Sequence, residues 1–140
     1  MIHKVIEIWN EPVNNGSNSI FRPALTTYIL DGNTGFRHYS ASGSTKNTGK
    51  NDNAASIKNR PAVLVLPGGG YSFTSPREAE PIALRFIEAG YHAFVLDYSV
   101  APAKHPQPLL DASRAMCMIR NNAEEWGICP DKIAVCGFSA

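Results

Sequence analysis

The chain has 140 residues, of which 44% are hydrophobic and 18% are charged, so it can bury the core of one ordinary domain and is not a disordered tail. Thirteen Lys and Arg side chains against twelve Asp and Glu give a formal net charge of +1, which excludes the basic field of a nucleic-acid-binding or membrane-surface protein. Three cysteines without a Cys-x-x-Cys pair argue against a disulfide framework or a zinc site. With no bilayer-spanning apolar run and no secretion signal at the start, we expect a cytoplasmic protein with no metal and no cofactor.

The first 60 residues predict a leading β-hairpin with a long polar loop. Residues 2–9 are typical of a strand, and residues 24–30 are rich in the β-branched and aromatic side chains that favour a second strand. Residues 31–60 are mainly Gly, Ser, Asn, Thr and Lys. This composition predicts a long exposed connection between the hairpin and the rest of the chain.

Residues 61–140 show the alternation of an α/β protein. The predicted elements are, in chain order, a strand over 62–66, a helix over 77–89 with Pro81 in its first turn, a strand over 91–96, a helix over 109–126 and a strand over 132–136. The strands are continuously apolar, which is typical of a parallel sheet covered on both faces. We therefore predict a βαβαβ unit with helices on both faces of a mostly parallel sheet, in which ligands bind at the carboxyl ends of the strands.

Two unusual turns follow predicted strands. Pro67-Gly68-Gly69-Gly70 comes after the first of them, and its interpretation stays open between a plain tight turn and a run of amide donors for an oxyanion. Gly137-Phe138-Ser139 comes after the last. A small residue two positions before a serine, at the end of a buried strand, is typical of a strand-to-helix turn that presents a nucleophile.

Together these turns resemble the α/β-hydrolase serine esterases, particularly the group similar to hormone-sensitive lipase and the small carbohydrate esterases. The resemblance covers residues 61–140, and the matching stretches are 64–71, 94–102, 105–112 and 133–140. One departure is Pro67, where the family often has the histidine of His-Gly-Gly-Gly. The resemblance implies an α/β-hydrolase fold and hydrolysis of short acyl esters, including acetyl groups on sugars.

The resemblance also implies roles for individual residues. Ser139 is the expected nucleophile, which forms an acyl-enzyme with a small-molecule ester. The backbone N–H groups of Gly69, Gly70 and Ala140 are the expected oxyanion donors, and Tyr71 is expected to line the substrate pocket. Asp97 and Tyr98 are expected to be scaffold residues for the loop that follows them. Asp111 is expected in the first turn of its helix, where a carboxylate favours the helix dipole.

The triad of this family runs in the order serine, acid, histidine. All four histidines precede Ser139, and neither His92 nor His105 is expected to be the base. We therefore expect the chain to be the amino-terminal part of a hydrolase of roughly 250–300 residues. Alone it is expected to be inactive, to need the carboxyl-terminal half, and to leave its last strand as a bare sheet edge. Whether the chain forms a homo-oligomer stays open.

Three alternatives remain at this point. The first is a non-catalytic remnant of a hydrolase, since no base is available for the serine. The second is a serine peptidase, which uses the same nucleophile turn. The third is a dinucleotide-binding domain, which is disfavoured because Phe73 stands where the third glycine of Gly-x-Gly-x-x-Gly belongs.

Overall fold

A computed structural model of the chain describes residues 1–13, 20–31 and 59–139. Its elements are β1 (Ile2–Glu7), β2 (Ala24–Ile29), β3 (Arg60–Leu66), a 3₁₀ turn (Pro76–Glu78), α1 (Glu80–Glu88), β4 (His92–Asp97), α2 (Gln107–Asn121) and β5 (Ile128–Gly137). Most of the predicted polar connection over 31–60 lies outside the described residues. Within the described ranges, no helix has the length and apolar character needed to cross a membrane.

The five strands form one sheet in the order β1-β2-β4-β3-β5. β2 runs antiparallel to both β1 and β4, whereas β3 runs parallel to both β4 and β5. The parallel part therefore has β3 at its centre, and the hairpin of β1 and β2 extends the sheet beyond β4. The predicted hairpin and the predicted alternation of strands and helices are both present.

The two helices cover opposite faces of the sheet. Successive side chains of a strand point to opposite faces, and both sets are buried in β3 and β4. One set packs with Ala115 and Ile119 of α2; it includes Leu64, Phe94 and Leu96. The other set packs with Ala83 of α1; it includes Val63, Val65, Ala93 and Val95. Burial on both faces explains why these strands are continuously apolar rather than alternating.

The last strand, β5, pairs with β3 on one side and forms one edge of the sheet. Unlike β3 and β4, it is largely exposed, and the side chain of Val135 is 56% exposed. The prediction of a third buried strand is therefore right about its pairing and wrong about its burial, whereas the expectation of an edge position agrees with the sheet order.

Asp111 is a buried acceptor that joins three segments of the chain. One of its carboxylate oxygens accepts hydrogen bonds from Trp9 Nε1 at 2.7 Å and Gln107 Nε2 at 2.8 Å, and the other accepts the backbone N–H of Ser99 at 2.8 Å. The side chain is fully buried. The expectation of a first-turn carboxylate is wrong, because α2 begins at Gln107 and its first turn holds no acidic residue. Asp111 instead ties the segment after β1 and the loop after β4 to α2.

His92, which is buried in β4, links three segments at the opposite end of the sheet. Its Nδ1 accepts the backbone N–H of Leu30 at 3.1 Å, so Nε2 carries the proton and donates to the carbonyl oxygen of Gly127 at 3.1 Å. Burial lowers the pKa of His92 and outweighs the hydrogen bond to Gly127, which raises it; the nearby Arg60 acts in the same direction as burial. Protonation of Nδ1 would set a second donor against the Leu30 N–H.

Mild acid is therefore expected to destabilise the protein through His92. The folded-state pKa lies below the unfolded value of about 6.5, so this contribution to stability is present above that pH and is lost as the pH falls through the folded-state pKa. Urea unfolding between about pH 7.5 and 5 should show stability falling with acidification. The variant His92→Leu should be less stable at pH 7.5 but should show a shallower fall, and equal slopes for the two proteins would contradict the expectation.

Candidate active site

The two turns singled out in the sequence lie side by side at the carboxyl ends of adjacent strands. Leu66 and Gly137 are partners in the parallel pairing of β3 and β5. The backbone N–H of Phe138 extends this pairing by donating to the carbonyl oxygen of Leu66 at 3.1 Å. The glycine loop after β3 and the serine turn after β5 therefore start from the same edge of the sheet, which is where open α/β sheets bind ligands.

Ser139 has a backbone conformation that side-chain-bearing residues rarely adopt. Its φ is +48°, in the left-handed region, and its side chain is exposed. Such a conformation costs a serine roughly 1–3 kcal/mol, and a strained serine directly after a strand is typical of a nucleophile elbow. Ala140, the third expected oxyanion donor, lies outside the described residues, so its role stays a prediction.

The glycine loop needs residues without a Cβ at consecutive positions. Gly69 and Gly70 have φ values of +143° and +60°, which glycine adopts without penalty. A Cβ on Gly68 would collide with the carbonyl oxygen of Phe138, and a Cβ on Gly69 would collide with that of Phe73. Gly68 is thus the contact between this loop and the residue that precedes Ser139.

Among the described residues, the hydrogen bonds of this loop use its carbonyl oxygens more than its amides. The Gly68 and Gly69 carbonyl oxygens accept the backbone N–H groups of Ser75 at 2.8 Å and Ser72 at 3.0 Å. In the described part of the chain, the N–H groups of Gly69 and Gly70 have no acceptor. Because the N–H of a trans peptide points away from its C=O, these two N–H groups point away from the turn that holds the carbonyls. Within the described ranges, the loop is therefore both a tight turn and a source of two unpaired donors, as oxyanion stabilisation requires.

Tyr71 follows the loop and lines a cavity beside it. Its φ is +58°, its carbonyl oxygen accepts the Ala101 N–H at 2.6 Å, and its ring meets that of Tyr98 edge-on at 6.2 Å. The cavity has a volume of about 540 Å³. Its lining is mostly apolar, with His105 and the two tyrosines as polar members; the residues are Leu66, Tyr71, Tyr98, Ala103, His105, Pro108, Leu109, Ala112 and Gly137.

Two side chains hold the first peptide group of the loop. The Tyr98 hydroxyl donates to the carbonyl oxygen of Pro67, and Glu78 Oε2 accepts the N–H of Gly68 at 2.9 Å. Burial raises the pKa of Tyr98, with Tyr71 and Glu78 adding to the effect, so the hydroxyl keeps its proton at neutral pH. Tyr98 was expected to support the loop that follows it but supports the preceding glycine loop. No motif or spacing singles out Glu78.

Comparisons with known proteins find a matching family model and similar relatives. A family model described as BD-FAE matches residues 51–140. An endo-1,4-beta-xylanase B from Butyrivibrio fibrisolvens is 42% identical over 85 residues, which are 58% of this chain and 13% of that protein.

Two solved structures are similar over nearly the whole chain. An acetyl ester-xyloside bifunctional hydrolase from Caldicellulosiruptor lactoaceticus has a TM-score of 0.73 and 34% identity, with 96% of this chain and 42% of that chain covered. MGS-M1, an alpha/beta hydrolase enzyme from a Medee basin deep-sea metagenome library, has a TM-score of 0.70 and 38% identity, with 96% and 45% covered. This chain therefore spans less than half the length of each of these relatives.

Proposed function

Since the chain belongs to the BD-FAE family and has, as predicted, the fold of the amino-terminal part of an α/β-hydrolase, we propose that the protein containing it is a serine carboxylic ester hydrolase. The observation that carries the proposal is the position of Ser139. This residue lies in a left-handed turn at the end of β5, next to a loop whose Gly69 and Gly70 N–H groups have no acceptor among the described residues. A nucleophile beside unpaired amide donors is the arrangement that acyl transfer needs.

In the proposed reaction, Ser139 Oγ attacks the carbonyl carbon of the ester. The carbonyl oxygen becomes an oxyanion, which the N–H groups of Gly69, Gly70 and Ala140 stabilise. The C–O bond to the leaving group then breaks, and the alcohol departs with a proton. Water hydrolyses the resulting acyl-serine and regenerates the hydroxyl. The base that takes the serine proton, and the acid that orients this base, are proposed to follow Ser139 in the order that the resemblance implies.

Short acyl esters, including acetyl groups on sugars, are the proposed substrates. The Caldicellulosiruptor lactoaceticus relative, which is 34% identical, is named for acetyl ester and xyloside hydrolysis. The cavity beside Tyr71 adds support, since its apolar wall suits a small acyl group and the exposed Tyr71 suits a polar alcohol. Glycosidase activity is not proposed, because glycoside hydrolysis uses a pair of carboxylates, whereas the turns described here present a serine and backbone amides; the match to the xylanase also covers only 13% of that protein.

The first test uses the protein that contains this chain. p-Nitrophenyl acetate should be turned over faster than the palmitate ester, acetylated xylan should release acetate, and a fluorophosphonate should label Ser139. The 140-residue chain alone should show no turnover. A preference for the palmitate ester would overturn the proposed acyl length, and turnover without labelling of Ser139 would overturn the serine mechanism. A rise in melting temperature with NAD would instead favour the dinucleotide-binding alternative.

A further inference from the structure

We propose that Glu78 and Tyr98 are positioning residues. They hold one peptide group of the glycine loop by hydrogen bonds to its N–H and its C=O, and thereby orient the Gly69 and Gly70 N–H donors towards Ser139. The inference rests on the proposed function, because it assigns the cause of the loop geometry on which that function depends. Neither side chain is proposed to touch the substrate or to transfer a proton.

The peptide group that they hold joins Pro67 and Gly68. Its carbonyl oxygen accepts from the Tyr98 hydroxyl, and its N–H donates to Glu78 Oε2 at 2.9 Å. A peptide group is planar, so fixing its oxygen and its hydrogen fixes the orientation of the plane. The two hydrogen bonds come from separate parts of the chain: Tyr98 follows β4, and Glu78 ends the 3₁₀ turn before α1.

The same short segment also holds the next peptide group, between Gly68 and Gly69. Ser75, which begins the turn that ends at Glu78, is buried and donates its N–H to the Gly68 carbonyl oxygen at 2.8 Å. That carbonyl shares a peptide group with the Gly69 N–H, one of the two free donors. Residues 75–78 therefore hold the N–H of Gly68 and also its C=O, which leaves the Gly69 N–H facing away from the segment.

Gly68 is also where the loop touches the serine turn. A Cβ at this position would collide with the Phe138 carbonyl oxygen and would lie 2.9 Å from Glu78 Oε2. Gly68 thus fits between the residue before Ser139 and the carboxylate of Glu78. Because the glycine loop contacts the serine turn at this point, loss of the hydrogen bonds that hold Gly68 would let the Gly69 and Gly70 N–H donors move relative to Ser139. Misplacement of a reacting group by about 1 Å can cost roughly 100-fold in rate.

A charged acceptor suits this task. A hydrogen bond from an N–H to a carboxylate is about twice as strong as one between neutral groups. The side chain of Tyr98 is buried and has little freedom to move, so its hydroxyl stays on its carbonyl partner. Both hydrogen bonds exist before substrate binds, so the donors need not reorganise when the oxyanion forms.

The experiment compares Glu78→Ala, Glu78→Gln, Tyr98→Phe and the double variant Glu78→Ala/Tyr98→Phe in the protein that contains this chain. Turnover of p-nitrophenyl acetate and binding of a trifluoromethyl ketone, which forms an oxyanion on the serine, are measured. Glu78→Ala should lower kcat roughly 10- to 100-fold while KM changes by less than about twofold. Affinity for the ketone should fall by the same factor as kcat. Glu78→Gln keeps an oxygen acceptor and should recover most of the activity.

Tyr98→Phe removes only the hydroxyl and should also lower kcat with little change in KM. Because both side chains hold the same peptide group, the effect of the double variant should differ from the product of the single effects. Glu80→Ala is the matched control: Glu80 lies two residues from Glu78, is exposed, and makes no hydrogen bond to the glycine loop. Its kcat should equal that of the wild type.

The outcomes separate this inference from the proposed function. If the wild type hydrolyses the ester and is labelled at Ser139, unchanged kcat in Glu78→Ala and Tyr98→Phe overturns the inference and leaves the function standing. Equal losses in Glu78→Gln and Glu78→Ala, or a double variant whose loss is the product of the single losses, also overturn it. Absence of both turnover and labelling in the wild type overturns the proposed function, and the inference falls with it.

Discussion

In the protein that contains this chain, replacement of Ser139 with alanine is expected to abolish ester hydrolysis and to leave the fold intact. Without the hydroxyl no acyl-enzyme can form, and loss of such a nucleophile lowers kcat by roughly 10⁴- to 10⁶-fold. The side chain is exposed and makes no hydrogen bond within the described residues. Alanine meets the same cost as serine at the φ of +48°, so the melting temperature should stay nearly unchanged.

The measurement is turnover of p-nitrophenyl acetate together with thermal unfolding followed by circular dichroism. Ser72→Ala is the matched control, because Ser72 is an exposed serine of the glycine loop that contributes its backbone N–H rather than its side chain. This control should keep wild-type turnover. If the alanine variant at Ser139 retains more than about a thousandth of the wild-type kcat, Ser139 is not the nucleophile.

The largest loss of stability is expected from Asp111→Ala. The substitution removes a fully buried carboxylate and leaves the Trp9 indole N–H and the Ser99 backbone N–H without their acceptor. The unpaired Ser99 N–H, which is fully buried, costs roughly 1–3 kcal/mol, and the half-buried Trp9 loses a hydrogen bond to a charged group, which contributes about 1.5–3 kcal/mol. Gln107, which also donates to Asp111, is half-buried and can turn to solvent. We therefore expect the free energy of unfolding to fall by about 3–5 kcal/mol, a large fraction of the roughly 5–15 kcal/mol that is typical of a domain.

Urea unfolding measures this change against Glu88→Ala, which removes a carboxylate from the surface. Glu88 forms an exposed ion pair with Arg85 at 2.9 Å, and such pairs contribute about 0.5 kcal/mol or less. Asp111→Asn should be intermediate, since its amide retains one oxygen but sets a donor against one of the three N–H groups. A loss in Asp111→Ala no larger than that in Glu88→Ala would show that the buried hydrogen bonds contribute little.

The fold was predictable because its signals are local. Continuous apolar runs identify β3 and β4, and helical spacing with Pro81 near its start identifies α1, whose first turn does hold this proline. Some element boundaries differ from the predicted ones. α2 begins at Gln107, two residues before the predicted start, because Pro108 fits the first turn of a helix. β5 begins at Ile128, before the predicted start at residue 132, since Ile128 pairs with Arg60 across an irregularity in the register.

The side chains that hold the loops in place were not predictable in the same way. Ser139 and the glycines are recognisable because turn chemistry restricts which residues can follow a strand. Glu78 and Asp111 are ordinary carboxylates in the sequence. Their importance comes from contacts with Gly68 and with Trp9, and the second of these joins residues 102 positions apart. Nothing in periodicity or spacing encodes such pairings, because the topology of the sheet creates them.

The position of β2 bears on how the protein can be dissected. The family match starts at residue 51, but β2 lies against β4 and supplies Leu25 and Tyr28 to the two buried clusters. An expression segment cut at the start of the match would leave the backbone of β4 unpaired along one side, and exposed strands of this kind recruit other chains. Because β1 pairs in turn with β2, the smallest piece suited to recombinant work begins at or before β1, some fifty residues before the boundary that homology alone suggests.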